Sequence, residues 1–362
     1  MREIEHVVPG NKECIAGLEK VMERARNGMV RCISVVFCEG AGADVMYLGD
    51  VEARPQVVYG CNLMIQMLVT STSMNVRPMD ETRPANLVRY DVTADPICFD
   101  FLPWLVTAEM RRRQEGAPAP LKVAFVRNPA SLAPLTEAKW QFFAKVMRPC
   151  LELLGAEESQ EAQNGRHEDF VGLREIAKLA RSGIEVPHIK VPDEQMNAMR
   201  EQLGNKKPVT ITLREKRGAF DHRNSDLAEW DKFAVWLSRK KGEHVVVVRD
   251  TEYATETFGN FDICPDASKD LLMRAALYEQ SKCNMFVTNG PWGLAQYSDV
   301  PWLMFASIDK DQPEVFNRPE WWDQFMGLNE DRQLAWAGPQ QRIVYKRDTF
   351  ENMRDAYEQL RL

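Results

Sequence analysis

Arg214, Lys216 and Arg217 follow a short β-branched run, Pro208-Val-Thr-Ile-Thr-Leu213, and Arg223-Asn224 come a few residues later. A diphosphate needs charge-assisted donors in a fixed geometry, and an arginine at a strand end supplies a planar fork. Asn289-Gly290-Pro291 ends another apolar run, Asn284 to Thr288. Glycine after a strand lets backbone N–H groups come close to a ligand. A helix behind it, read here from Gly293 to Ser298, would turn its positive end toward an anion. Taken singly, the first segment also reads as a solvated charged loop and the second as a tight turn. Taken together they point to anion binding. Glu279 lies on an apolar helix, where it either pairs with an arginine or bonds a ligand hydroxyl.

Other candidates carry less. Asp309-Lys310-Asp311 has the form in which two carboxylates hold a divalent ion on a diphosphate, but it falls after the last of the strands read here, and no metal site is assigned. Gly40-Ala41-Gly42 lacks a third glycine and a following helix, so it reads as a hairpin turn rather than a dinucleotide loop. Trp321-Trp322 reads as an aromatic pair docking the C-terminal segment on the core. His188 and His222 read as surface or loop histidines. The eight cysteines, Cys14, Cys32, Cys38, Cys61, Cys98, Cys150, Cys264 and Cys283, show no C-x-x-C spacing. Reduced, buried thiols in a cytosolic (cytoplasmic) protein are expected, and no zinc.

The elements that must position these residues form an α/β pattern. In the C-terminal part, strands at Pro208–Leu213, His244–Arg249, Asn284–Thr288 and Pro301–Phe305 alternate with helices. Asp226 with Glu229 predicts a capping box ahead of Leu227, Trp230, Phe233, Ala234 and Leu237, and Ser268 is expected to cap the next helix. A parallel sheet binds ligands outside the carboxyl ends of its strands, which is where the basic and glycine-bearing loops fall. Earlier, Leu87–Asp91, a helix from Phe101 to Arg113 capped by Asp100, and Leu121–Val126 make a βαβ opening, followed by a helix over Lys139–Leu154 and an extended segment over Val186–Val191. Gly204 to Lys207 is the expected hinge.

Residues 1–80 read as a separate small α/β module. It has a helix over Asn11–Asn27, strands at Arg31–Cys38 and Val45–Leu48, an apolar stretch from Cys61 to Thr70, and a polar linker over Ser71–Pro84. The chain is thus divided at 1–80, 86–203, 208–345 and 346–362, the last an amphipathic helix expected to cross back over the first domain.

A chain of 362 residues is long enough for two domains and an appendage, and 44% hydrophobic with 27% charged residues is ordinary for a globular protein. A net charge of −7 argues against general nucleic-acid binding. No stretch approaches the roughly 20 apolar residues of a membrane span.

Thr210-Ile-Thr-Leu-Arg214, Asn224 to Trp230, Val245 to Asp250, Ala275-Ala-Leu-Tyr-Glu279 and Asn289-Gly-Pro291 up to Ser298 resemble the C-terminal half of GT-B glycosyltransferases, of the O-fucosyltransferase-like and heptosyltransferase-like branches. The resemblance spans residues 86 to 345. It implies two facing Rossmann-like domains in a GT-B arrangement, with the small N-terminal α/β module outside it. It implies a nucleotide-diphosphate sugar as donor, bound as substrate with no cofactor, and a glycan, lipid or protein acceptor. Arg214 would be the phosphate clamp, with Lys216 and Arg217 on the same loop. Asn289, Gly290, Pro291 and Ser298 would line the pocket, and Asp250 and Thr251 would sit near the base or ribose. A base must take the acceptor's proton. Asp95 and Asp100 are the candidates, with Asp91 beside them, and Asp100 also reads as a plain helix cap. The segment Asp95 to Arg113 departs from the family's glycine-rich start, having Pro96 and Cys98. A nucleotide-sugar epimerase and a non-catalytic, partner-binding scaffold are the competing readings. The role of residues 1–80, in acceptor recognition or oligomerisation, is open.

Overall fold

The computed structural model describes residues 32–39 and 42–49, 84–92, 99–126, 136–160, 172–216, 223–306, 322, 326–328, 333–360 and 362. The expected helix at 11–27, the 61–70 stretch, most of the 71–84 linker, Asp95, Arg217, His222, Asp309 to Asp311 and Trp321 lie outside them. The chain falls into two units, Met1–Arg83 and Pro84–Leu362.

In the first unit, β1 (Cys32–Glu39) and β2 (Gly42–Gly49) pair antiparallel with Glu39 opposite Gly42.

The second unit is α/β and holds two parallel sheets. The smaller, in the order β3-β4-β5, comprises β3 (Leu87–Asp91), β4 (Lys122–Val126) and the short β5 (Glu157–Glu158). Between the first two runs α1 (Phe101–Gln114). Asp100 stands at its start but makes no side-chain capping bond, contrary to expectation. Glu109 is buried on α1; burial pushes its carboxyl up, and bonds from Arg112 and Arg113 outweigh that and hold it low. After β4 come α2 (Glu137–Phe142), a π turn over Phe143–Met147, and α3 (Arg148–Leu154), closed by Gly155 in the left-handed conformation. Two helices absent from the sequence reading follow, α4 (Gly172–Arg181) and α5 (Asp193–Leu203). The 186–191 segment between them ties the sheets together, Ile189 N–H donating to Tyr297 O and Lys190 N–H to Leu153 O.

The larger sheet has six strands, all parallel, in the order β11-β10-β9-β6-β7-β8. In chain order its elements are β6 (Val209–Thr212), α6 (Leu227–Trp236, with a π turn to Lys241), β7 (Val245–Val248), β8 (Asp262–Ile263), α7 (Pro265–Lys269), α8 (Leu271–Glu279), β9 (Cys283–Val287), α9 (Trp292–Ala295), β10 (Trp302–Phe305), β11 (Gln341–Val344) and α10 (Phe350–Gln359). Counted from β6 as the first, this is 6-5-4-1-2-3, the doubly wound Rossmann order. Both faces are covered, so strands such as Val245–Val248 are continuously apolar and buried. On one face Trp230, Phe233 and Leu237 of α6 pack with Met353, Ala356 and Tyr357 of α10. On the other, α8 and α9 share a core with α1, α3 and α5, which joins the two sheets. Trp322 is buried in this core, edge-on to Tyr345 at 5.9 Å.

Three expectations are corrected. α10 does not cross to the first sheet; its apolar face fits α6, and Tyr357 OH donates to Glu243 at 3.1 Å. Ser268 sits inside α7, and the cap of α8 is Asp270, accepting from the Leu272 and Met273 N–H groups. The capping box of α6 is half made. Asp226 accepts from Glu229 N–H, but Glu229 is drawn off to accept from Phe350 N–H, and Asp348 takes its place on Asp226 N–H at 3.0 Å.

Asp348 also accepts from the indole N–H of the fully buried Trp230 at 2.7 Å. Asp348→Ala strands that donor and should lower unfolding free energy by about 1–3 kcal/mol, read by urea denaturation. A change inside ±0.5 kcal/mol would show that the latch holds nothing.

Candidate functional site

β6 and β9 are neighbours in the sheet but not in the chain, with Thr212 opposite Phe286. From β6 the chain leaves to the α6 face, and from β9 to the α9 face. This divergence opens a crevice at the carboxyl ends, the place where open α/β sheets bind ligands. Arg214 and Thr288 both lie two residues beyond that paired position, and Arg223 Nη2 donates across to Thr288 O at 3.1 Å.

Arg214 is 9% exposed and held by its own loop. Its N–H donates to Ser225 Oγ at 2.9 Å, Ser225 N–H returns a bond to Arg214 O at 2.9 Å, and Arg214 Nη1 donates to Asn224 Oδ1. Asn224 in turn donates to Lys216 O at 2.7 Å, while the Lys216 side chain is exposed. The loop is therefore closed at its base, and the guanidinium does not swing freely.

A second brace links β6 to β7. Arg249 and Glu215, both nearly buried, form a bidentate ion pair, Nε to Oε2 at 3.0 Å and Nη2 to Oε1. The Glu215 partner raises the Arg249 pKa. Asp250 accepts from Glu215 N–H at 2.6 Å, and Thr251 Oγ1 donates to Ser268 O at 3.1 Å. Asp250 and Thr251 thus lie beside the rim but tie loops together there. Glu215 and Arg249 were not singled out from sequence; the signal was a charge of each sign at the ends of two adjacent strands.

Beyond β9, Asn289 Oδ1 accepts from Trp292 N–H at 3.0 Å. Asn289 Nδ2 is buried and has no partner among the described residues. Such a donor is costly unless something accepts from it. Gly290 faces the smaller sheet: a Cβ placed on it would lie 2.4 Å from Cδ2 and 2.8 Å from Cγ of Phe99. α9 has only four residues, too short for the helix dipole expected behind this loop. Asp100 follows Phe99 and reaches the same region; after burial, its charge is the next cause raising the Tyr297 pKa.

The structure therefore brings Arg214, Asn289, Gly290 and Pro291 to one rim, with Asp100 approaching from the smaller sheet. Glu279 and Ser298 are elsewhere. α8 runs back against the strands, so Glu279 lands near the start of β9, at the amino edge; Ser298 lands near the start of β10. Burial is the main cause raising the Glu279 pKa, opposed by Ser298 and His188 and aided by Asp299. Among the described residues no group of three His, Cys, Asp or Glu is placed to hold a metal ion, and no helix is long and apolar enough to cross a membrane. Cys150, Cys264 and Cys283 are free and buried.

Two measurements check this geometry. Gly290→Ala forces a methyl into the Phe99 ring and should cost about 1–3 kcal/mol; in the Gly290→Ala/Phe99→Ala pair that penalty should vanish. Additive penalties would separate the two loops. Glu279 favours its neutral form when folded, so its contribution is present below its ordinary pKa of 4.5 and is lost as pH rises through the higher folded value. The melting advantage of Glu279→Gln over the parent should grow from pH 4 to pH 7. A pH-independent difference would contradict the burial.

No protein-family model and no curated protein matches the sequence. Among solved structures, the chain is similar to a glycosyl transferase family 9 protein from Veillonella parvula DSM 2008, with 11% identity and a TM-score of 0.41 over 75% of this chain and 90% of that one. It is similar to the E. coli heptosyltransferase WaaC with ADP, with 12% identity and a TM-score of 0.42 over 76% and 99%. It is also similar to the Methanocaldococcus jannaschii UDP-GlcNAc 2-epimerase in complex with UDP-GlcNAc and UDP, with 11% identity and a TM-score of 0.33 over 76% and 68%.

Proposed function

We propose that the chain is a glycosyltransferase that uses a nucleotide-diphosphate sugar, without a metal ion, on a glycan, lipid or protein acceptor. The observation that carries this reading is the convergence of Arg214, Arg223 and the Asn289-Gly290 loop at the β6/β9 switch point. Breaking a sugar–diphosphate bond develops negative charge on the leaving group. Fixed donors aimed at that charge lower the barrier without reorganising during the reaction. Arg214 supplies the charge, and Asn289 Nδ2 a hydrogen bond. Asp100, on the facing loop, is the proposed acceptor of the incoming hydroxyl's proton. Free buried thiols fit a reducing, cytoplasmic setting.

The test begins with donor affinity. Arg214→Ala removes one charge-assisted contact and should weaken donor binding about 10- to 100-fold by calorimetry. An unchanged affinity would sink the assignment. A melting screen against GDP-, UDP-, ADP-, TDP- and CMP-linked sugars identifies the donor, and stabilisation by none of them would favour a scaffold. Donor turnover without any acceptor, yielding an isomerised sugar nucleotide, would favour the epimerase.

A further inference from the structure

Phe99 and Gly290 meet at the rim, one from the segment ahead of α1 and the other from the loop after β9. A Cβ on Gly290 would lie 2.8 Å from Cγ and 3.1 Å from Cβ of Phe99, so the phenylalanine fills the glycine's open side. A phosphate oxygen coming in on that side would meet carbon, which offers it no hydrogen bond.

The covered loop holds donors without acceptors. The N–H groups of Asn289 and Gly290 donate to no described residue. Asn289 Oδ1 is held by Trp292 N–H at 3.0 Å, while Asn289 Nδ2 is inaccessible and has no partner among the described residues. An inaccessible donor cannot touch a ligand in this arrangement. Either it stays unsatisfied throughout, at a cost in stability, or part of its cover moves.

Phe99 is the part of that cover free to move. It packs against the core rather than inside it, and both it and Gly290 are half-buried. Its ring meets Phe142 edge-on at 5.9 Å, and a phenyl ring that swings away breaks no hydrogen bond. Phe101, two residues on, is fully buried and anchors α1, so the swing is confined to what precedes the helix.

We propose that Phe99 is a gate on the donor site: its ring closes the Asn289-Gly290 loop, and a diphosphate enters only by displacing it. The gate rests on the donor reading above and adds to it the control of access. A purely structural Phe99 predicts the opposite sign, since removing its ring would loosen the loop and weaken binding. The apparent affinity of a site open in only a fraction of molecules is lowered by that fraction, so a loop open in about a tenth of them gains about tenfold when the ring is removed.

Calorimetry on the full chain with inorganic pyrophosphate, ADP, UDP and GDP tests this. At least one of the four should bind Phe99→Ala about tenfold or more tightly than the parent. Phe99→Leu keeps an apolar contact with Phe142 and should gain less; it carries the test if the alanine variant fails to fold. Adding Arg214→Ala to the Phe99 variant should remove the gain, because the uncovered loop then lacks its cation. Equal or weaker binding in the Phe99 variants, a gain that survives Arg214→Ala, or binding of none of the four by any variant would each overturn the gate. The donor reading fails on different evidence. A nucleotide sugar that binds the parent and the Phe99 variants alike removes the gate alone, whereas one whose affinity for the parent is untouched by Arg214→Ala removes the donor site itself.

Discussion

The pairing of β6 with β9 is the constraint on which the rest of the site depends. Its register follows from the two faces of β6. Val209, Ile211 and Leu213 point into the core under α6 and α10. Thr210 and Thr212 point the other way, and their hydroxyls bond Ser281 at 2.6 Å and Tyr278 at 2.8 Å. A slip by one residue would exchange these sets, burying hydroxyls without partners and turning the valine–isoleucine–leucine row away from its core. The register in turn sets Arg214 level with Thr288. A site built on two loops from distant parts of the chain thus inherits its precision from strand packing.

Charge at the rim is balanced before any ligand arrives. The Glu215–Arg249 pair is desolvated on both sides, and a buried pair of this kind is weak evidence for net stability. Its value here is positional. Arg249 is spent on Glu215 and on the carbonyls of Glu256 and Thr257, whereas Arg214 and Arg223 lie beside the switch point. Much of the cost of withdrawing Arg214 from water is met by folding, which is the condition under which a fixed donor is worth most to a developing negative charge.

Much of the larger sheet was legible in the sequence because its strands are buried on both faces. Val245–Val248 is a continuous apolar run, and Cys283–Val287 is apolar except for Asn284. β8 and β11 were not legible. β8 is two residues long, and β11, Gln341–Val344, begins with two polar residues and lies at the sheet edge. The rim residues were legible as strand ends. Glu279 and Ser298 were misplaced for a specific reason: proximity in sequence to the right loop does not say which edge of the sheet a helix returns to. Capping failed where a tertiary partner outbid the local one, as Phe350 does for Glu229. Asp100 at a helix start read as a cap, yet its carboxylate makes no capping bond.

Gly290 shows how one residue can satisfy two demands. From the sequence, a bare glycine after a strand implies clearance for a ligand. In the structure, the missing side chain is already accounted for by Phe99, whose ring fills the space a Cβ would take and meets Phe142 edge-on at 5.9 Å. The glycine alone is therefore no evidence of a phosphate, and the anion reading must stand on the arginines and on Asn289 Nδ2. What the contact does establish is coupling. The loop that carries Asp100 cannot shift without changing the environment of Asn289-Gly290-Pro291, so the smaller sheet helps set the geometry of the rim although the strands beneath it belong to the larger one.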